Sequence, residues 1–186
     1  MKQRIKFYLM FLMLLINSMG AWADSTLKVV VGSGGSVTQV KIAGNVVALG
    51  ANGETTGSYY NNQVRLTIAP NTGKYVSSVK YKQSDETDDH DASYSSANDD
   101  YYFYMPNSDG INVTVTVTFG DAVASIGTHN FGTLKDAFGA VESGETITMI
   151  ANSDESGVNH DFSGATRNIT IDLNGHTVSF GNISNK

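Results

Sequence analysis

Cysteine is absent from all 186 residues, which excludes disulfides, thiol nucleophiles and cysteine-ligated metal sites together. It also excludes the lipid-bearing cysteine that a bacterial lipoprotein carries directly after its leader. Tryptophan occurs once, as Trp22, inside what reads as a leader, so the mature chain has none. Positive charge is scarce, with 12 Lys+Arg against 18 Asp+Glu and a formal net charge of −6. Nucleic acid and anionic membrane surfaces are poor partners for such a chain, through plain repulsion. The apolar run Phe7 to Ile16 spans ten residues, well short of the roughly 20 that a membrane-spanning helix requires.

What is present begins at the N-terminus. Lys2, Arg4 and Lys6 precede that apolar run, and Ala21-Trp22-Ala23 supplies a small-x-small cleavage site. This is the form of a secretory signal peptide over 1–23, cut after Ala23, and it predicts a secreted or cell-surface protein with no membrane span once mature. Cleavage removes the three cations and no anion, leaving 9 Lys+Arg against 18 Asp+Glu, a net charge of −9. Stability without disulfides has to come from core and sheet, and roughly 160 residues are enough for one or two small domains. An exported bacterial protein is the expected origin. Asn112-Val-Thr, Asn168-Ile-Thr and Asn182-Ile-Ser fit the glycosylation pattern, but a chain this rich in Asn, Ser and Thr produces such tripeptides by chance.

From Asp24 to Gly120 nearly every periodic run has period two. Leu27 to Val31, Val37 to Ile42, Val64 to Ile68, Tyr75 to Tyr81, Tyr101 to Met105 and Ile111 to Phe119 alternate or are β-branched, with Gly, Asn, Pro and Ser between them. No stretch repeats apolar residues at helical spacing, so 24–120 reads as an all-β module. In its last strand Ile111, Val113, Val115, Val117 and Phe119 share one face and Asn112, Thr114, Thr116 and Thr118 the other, the pattern of a half-buried strand.

Five signposts follow in order: Gly34-Gly35, Val64-Arg-Leu-Thr-Ile-Ala-Pro70, Gly73-Lys-Tyr75, Phe103-Tyr-Met-Pro106 and Val113-Thr-Val-Thr-Val-Thr-Phe119. In that order they resemble the small bacterial surface repeat related to the B-repeat of the internalins, over most of Leu27 to Phe119. The resemblance implies an extracellular spacer or adhesion module of β-grasp or sandwich-like form, with no catalytic residues to carry over. Two departures stand out. Val79-Lys80-Tyr81 replaces the family's usual tryptophan after the Gly-Tyr, and Gln83 to Asp100 is longer and more acidic than a hairpin needs.

That acidic stretch gathers Asp85, Asp88, Asp89 and Asp91, with Asn98-Asp-Asp100 beyond, enough oxygen to suggest calcium as the one cofactor in view. An EF-hand it is not, since His90 stands where its glycine belongs; a solvated charged loop is the plainer reading. The tyrosines suggest a second site. Tyr59, Tyr60, Tyr102 and Tyr104 are candidates for stacking on sugar rings of an extracellular glycan, while alternation buries Phe103 with Met105 and Tyr101. The plainer reading is that aromatics favour strands for packing.

After Gly120 the period changes. Val123 to Ile126 reads as a short strand, and Thr133-Leu-Lys-Asp136 has the form of a capping box. Leu134, Ala137, Phe138 and Val141 follow at helical spacing, and Gly144 ends the helix. Glu145 to Ile150 is a strand, Asn152 to Thr166 a polar loop, and Asn168 to Phe180 a strand, a bend at Asn174-Gly175 and a second strand. One such unit cannot bury its own apolar face and calls for further units stacked on it. If Ile171 and Leu173 point inward, Asp172 points out.

This order, ending in Ile-Asp-Leu-Asn-Gly-His-Thr, resembles the N-terminal cap and first turns of right-handed parallel β-helix proteins of the pectin-lyase-like class, over about Ile126 to Phe180. The resemblance implies that 121–186 is the helix-capped start of a β-helix, truncated at its first coil. Asn-Gly between alternating runs is equally a hairpin signal, in which Ile169 to Leu173 would pair with His176 to Phe180. Asp154, Glu155, His160, Asp161, Asp172 and His176 are the groups a catalyst could use, yet one coil offers no set of aligned outward side chains.

The expectation is a mostly β protein, a small all-β repeat module followed by the capped start of a parallel β-helix. Its expected role is structural or adhesive at the cell surface, with no catalysis and with a glycan or a host or cell-surface protein as partner. Two alternatives stand: the N-terminal piece of a β-helix enzyme that degrades polysaccharide, and a carbohydrate-binding module.

Overall fold

The computed structural model describes residues 23–108, 110–161 and 168–184. The leader through Trp22, including Ala21, lies outside the described residues. The chain is mostly β: sixteen strands and one helix among the described residues, in several small sheets of which none closes on itself.

The first ten strands are β1 (Ser25–Val31), β2 (Gly35–Ile42), β3 (Asn45–Val47), β4 (Glu54–Gly57), β5 (Gln63–Pro70), β6 (Lys74–Gln83), β7 (His90–Asp91), β8 (Ser93–Ser95), β9 (Asp100–Tyr104) and β10 (Val113–Asp121). They form two five-stranded sheets, ordered β4-β1-β10-β6-β7 and β3-β2-β5-β9-β8. All neighbours are antiparallel except β1 and β10, which run parallel with Leu27 opposite Val113.

One core lies between the sheets. Leu27, Val79, Val113, Val115 and Val117 enter it from the first, and Val40, Ile42, Val64, Leu66 and Phe103 from the second. Each such side chain contributes about 1.5–3 kcal/mol of burial. The period-two pattern of the sequence is therefore realised, with Val113, Val115 and Val117 buried and Thr116 between them exposed. Tyr81, in the place of the missing tryptophan, stacks on Phe103 with ring centres 4.5 Å apart and on His90 at 5.3 Å. Gly34 and Gly35 lie under the Phe119 ring so closely that a Cβ on Gly35 would meet its Cε1 at 2.3 Å.

Gln83 to Asp100 is not a single loop. It carries β7 at the edge of the first sheet and β8 at the edge of the second, so the chain changes sheets here. Short polar edge strands of this kind give no apolar alternation to read and resist edge-to-edge association.

The second half comprises β11 (Ala124–Ile126), β12 (His129–Phe131), α1 (Leu134–Ala140), β13 (Thr146–Met149), β14 (Ser153–Asp161), β15 (Thr170–Asp172) and β16 (Val178–Ser184). Thr133 caps α1, its Oγ1 accepting the Asp136 backbone N–H at 3.0 Å while its hydroxyl donates to Asp136 Oδ2 at 2.7 Å. The helix ends at Ala140, before the expected Gly144, because Val141 turns extended; Gly144 instead serves the following turn at φ 92°. Leu134, Ala137 and Phe138 pack with Ala124, Ile147 and Met149 in a second core.

The last strands answer the question Asn174-Gly175 left open. β15 does not fold back on β16. It runs parallel to β13, with Thr146 opposite Thr170, and β16 runs parallel to β14, with Ser153 opposite Val178, offsets of 24 and 25 residues. Asn174-Gly175, with φ of 46° and 80°, is a bend between two sheets. Side chains repeat the offset: Asn174 Nδ2 donates to the Met149 carbonyl at 3.2 Å, and Asn152 Oδ1 accepts the Thr177 N–H at 3.0 Å.

Two expectations are corrected. Ser153 to Asp161, read as part of a polar loop, is the strand β14; its interior positions hold Glu155 and His160 rather than aliphatics, so hydropathy could not reveal it. Leu173 is 47% exposed, because β15 ends at Asp172 and Leu173 already belongs to the bend.

Candidate functional site

The tyrosines proposed for sugar stacking do not form one surface. Tyr59 is partly buried against the first core, its hydroxyl 2.8 Å from Thr55 Oγ1, while Tyr60 is 43% exposed in the turn beyond it. Tyr102 and Tyr104 share the outer face of β9, as alternation requires, with Phe103 and Met105 buried beneath. That face is built around an ion pair. Arg65 Nε and Nη2 donate to Asp100 Oδ2 and Oδ1 at 2.7 and 2.6 Å, the two-pronged geometry that suits a guanidinium. The hydrogen bond to Asp100 holds the Arg65 pKa above its ordinary value. The guanidinium also lies 5.4 Å from the Tyr102 ring centre, so this tyrosine is already covered on one side.

Asp85, Asp88, Asp89 and Asp91 are all exposed and do not converge. Asp91 pairs with Lys80 at 3.1 Å, and the neighbouring His90 Nε2 lies 2.6 Å from Glu86. Among the described residues no three His, Asp or Glu side chains are placed to hold a metal ion.

Of the groups considered for catalysis, Glu155 and His160 do meet, at 3.4 Å. They do so inside the second core, with His160 edge-on to Phe138 and Phe180, and not on an outer sheet face. Asp154 is exposed, and hydrogen bonding from Ser156 draws its pKa down. Asp172 points outward and accepts the Asn174 N–H at 2.9 Å; His176 is half-buried beyond the bend, and the Asp161 side chain lies outside the description.

The most developed concavity is one that the sequence did not disclose. A cleft of about 360 Å³ opens where β5, β6, β8 and β9 of the first half meet β12 and the start of α1. Tyr94 stands at its mouth, donating to Asp99 Oδ1 at 2.9 Å and lying 2.8 Å from His129 Nε2. Burial, reinforced by Asp99, pushes its pKa up to about 12. Tyr101 meets the Tyr94 ring at 5.2 Å, and burial raises its pKa as well. Tyr75 forms the rear wall: a Cβ on Gly132 would meet its Cζ at 2.1 Å, so only glycine admits the ring there. Asn130 Nδ2 ties the two halves by donating to the Lys74 carbonyl at 2.8 Å. Residues 94 and 129 belong to different modules, and no local pattern announces that they touch.

No helix among the described residues is long and apolar enough to cross a membrane. No protein-family model, curated protein or solved structure matches this chain.

Proposed function

We propose that the chain is an exported bacterial structural protein serving adhesion or display at the cell surface, with no catalysis of its own. In this reading 24–120 is a sandwich-like surface-repeat module akin to the internalin B-repeat, and 121–186 is the capped beginning of a parallel β-helix. The observation that carries it is the pair of parallel ladders at offsets of 24 and 25 residues, β13 with β15 and β14 with β16. Two strands of one course lie on two of the next, joined by a bend, which is how a solenoid propagates. Supporting it are α1 packed over the same core and the strands of the first half, which enclose a core of their own.

Such a scaffold resists proteolysis because its backbone hydrogen bonds are internal and its loops short. The leader-like 1–23 and the cysteine-free composition fit export. The test is expression of the whole chain in a secretion-competent bacterium, followed by fractionation, N-terminal sequencing and polysaccharide-degradation assays. Export with a new N-terminus at Asp24, and no release of reducing ends from pectins, glucans or xylans, is the expected result. Retention in the cytoplasm with residues 1–23 intact, or depolymerisation of any of these polymers, would overturn it.

A further inference from the structure

We propose that the junction cleft walled by Tyr75, Tyr94, Tyr101 and His129 is a binding site for a neutral saccharide. The inference gives the adhesion reading a ligand class, and it rests on that reading only for the compartment in which the sugar is met.

Shape comes first. At about 360 Å³ the cleft falls within the range of small-ligand sites, roughly 300–1,000 Å³, and it lies between two modules, where such sites concentrate. Its lining joins aromatic faces to a few polar groups, the combination that a sugar requires, since a pyranose offers an apolar C–H face and a rim of hydroxyls.

Charge then narrows the ligand. Asp99 and Asp136 line the cleft and neither lysine nor arginine does, so a uronate, a sulfated sugar or a phosphate would be repelled. Asp99 Oδ1 and Asn130 supply hydrogen-bonding oxygens, and His129 supplies a ring nitrogen of either role. A quaternary ammonium ion would need several ring faces converging on one point. Here Tyr94 meets Tyr101 at 51° and His129 at 64°, which makes a folded wall rather than a box.

Preorganisation is the third argument. Tyr94 is 43% exposed yet fixed at its hydroxyl by Asp99 and His129, so its free face is presented without a further ordering cost. Tyr75 is wedged against Gly120 and Gly132 behind it. By contrast Tyr104, 55% exposed, stands on an open strand face outside the cleft and provides an internal control.

The experiment uses the full mature chain from Asp24. A panel of neutral oligosaccharides (gluco-, manno-, xylo- and galacto-oligomers), galacturonate oligomers and choline is titrated and followed by protein NMR. The expected result is binding of at least one neutral oligomer, little affected by salt, with shifts clustered at Tyr94, Tyr101 and His129. Affinity should fall about tenfold in Tyr94→Ala and stay unchanged in Tyr104→Ala. Because Tyr94 is half-exposed, its truncation leaves both cores intact, and the dispersion of the variant's spectrum checks this; the shift map on the unaltered protein is a second, independent readout. No neutral oligomer bound, binding only of galacturonate or choline, or shifts and losses centred on Tyr104 would each overturn the proposal. Export without sugar binding would refute this site alone, and sugar binding without export would refute the surface role alone.

Discussion

Tyr94 shows how a single side chain acquires unusual chemistry from its neighbours. Its pKa of about 12 arises first from burial and then from the hydrogen bond to Asp99. A tyrosine ionises near 10 when free, so the folded state favours the protonated form. The stabilisation is therefore complete below about pH 10 and is lost as pH rises toward 12. Exposure keeps the stability change small, so absorbance titration is the better measurement. Tyr94→Phe should remove a late ionisation step, and Asp99→Asn should move that step to lower pH. Glycines give a sharper contrast. Gly35→Ala would drive a Cβ to 2.8 Å from the Ala69 carbonyl oxygen as well as into the Phe119 ring, and should cost about 1–3 kcal/mol. Gly139, in α1 with nothing within 4 Å of an added Cβ, should behave oppositely, with Gly139→Ala gaining about 0.5–1 kcal/mol. Urea midpoints for the pair, at equal m-values, decide both.

Among the elements, α1 and β14 illustrate the two ways in which a segment declares itself. The helix has seven residues, too few to be stable alone, and depends on its cap and on Leu134, Ala137 and Phe138 packing inward. Thr133→Ala should cost about 1 kcal/mol by urea denaturation, while Thr133→Asn should retain most of the stability because an amide oxygen can accept the same N–H. β14 is defined by its partner instead. Its ladder with β16 shifts register between Glu155 and Asn159, and at Gly181 an added Cβ would lie 2.1 Å from the Ser156 carbonyl oxygen. That carbonyl is backbone and cannot swing away, so Gly181→Ala should unpair the ladder and expose Phe180; hydrogen exchange along β14 would report it.

For the molecule as a whole, the two cores share no residue, the first drawing on residues 27–119 and the second on 123–180. Residues 24–121 expressed alone should melt cooperatively, since every side chain of the first core comes with them. Residues 121–186 expressed alone should associate, because β15 and β16 each stand at the edge of a sheet with one backbone row unpaired. Light scattering and thermal melts of the two pieces check this; a monodisperse, cooperatively melting C-terminal piece would contradict it.

The alternation of Val113, Val115 and Val117 with threonines, the capping residues of α1 and the bend at Asn174-Gly175 were all legible in the sequence, because each is a local pattern with one conformational solution. β14 was not, since its interior is polar, and hydropathy cannot see a buried Glu155 beside His160. Nor could any pattern decide between hairpin and stacked course at Asn174-Gly175, because both use the same turn residues. Only the parallel partners β13 and β14, 24 and 25 residues upstream, decide it. The junction cleft is likewise tertiary alone. By itself the sequence determined which residues alternate and where the chain turns, because those depend on neighbours along the backbone; the tertiary structure decided which strand lies beside which, and what Tyr94 meets, because those depend on neighbours in space.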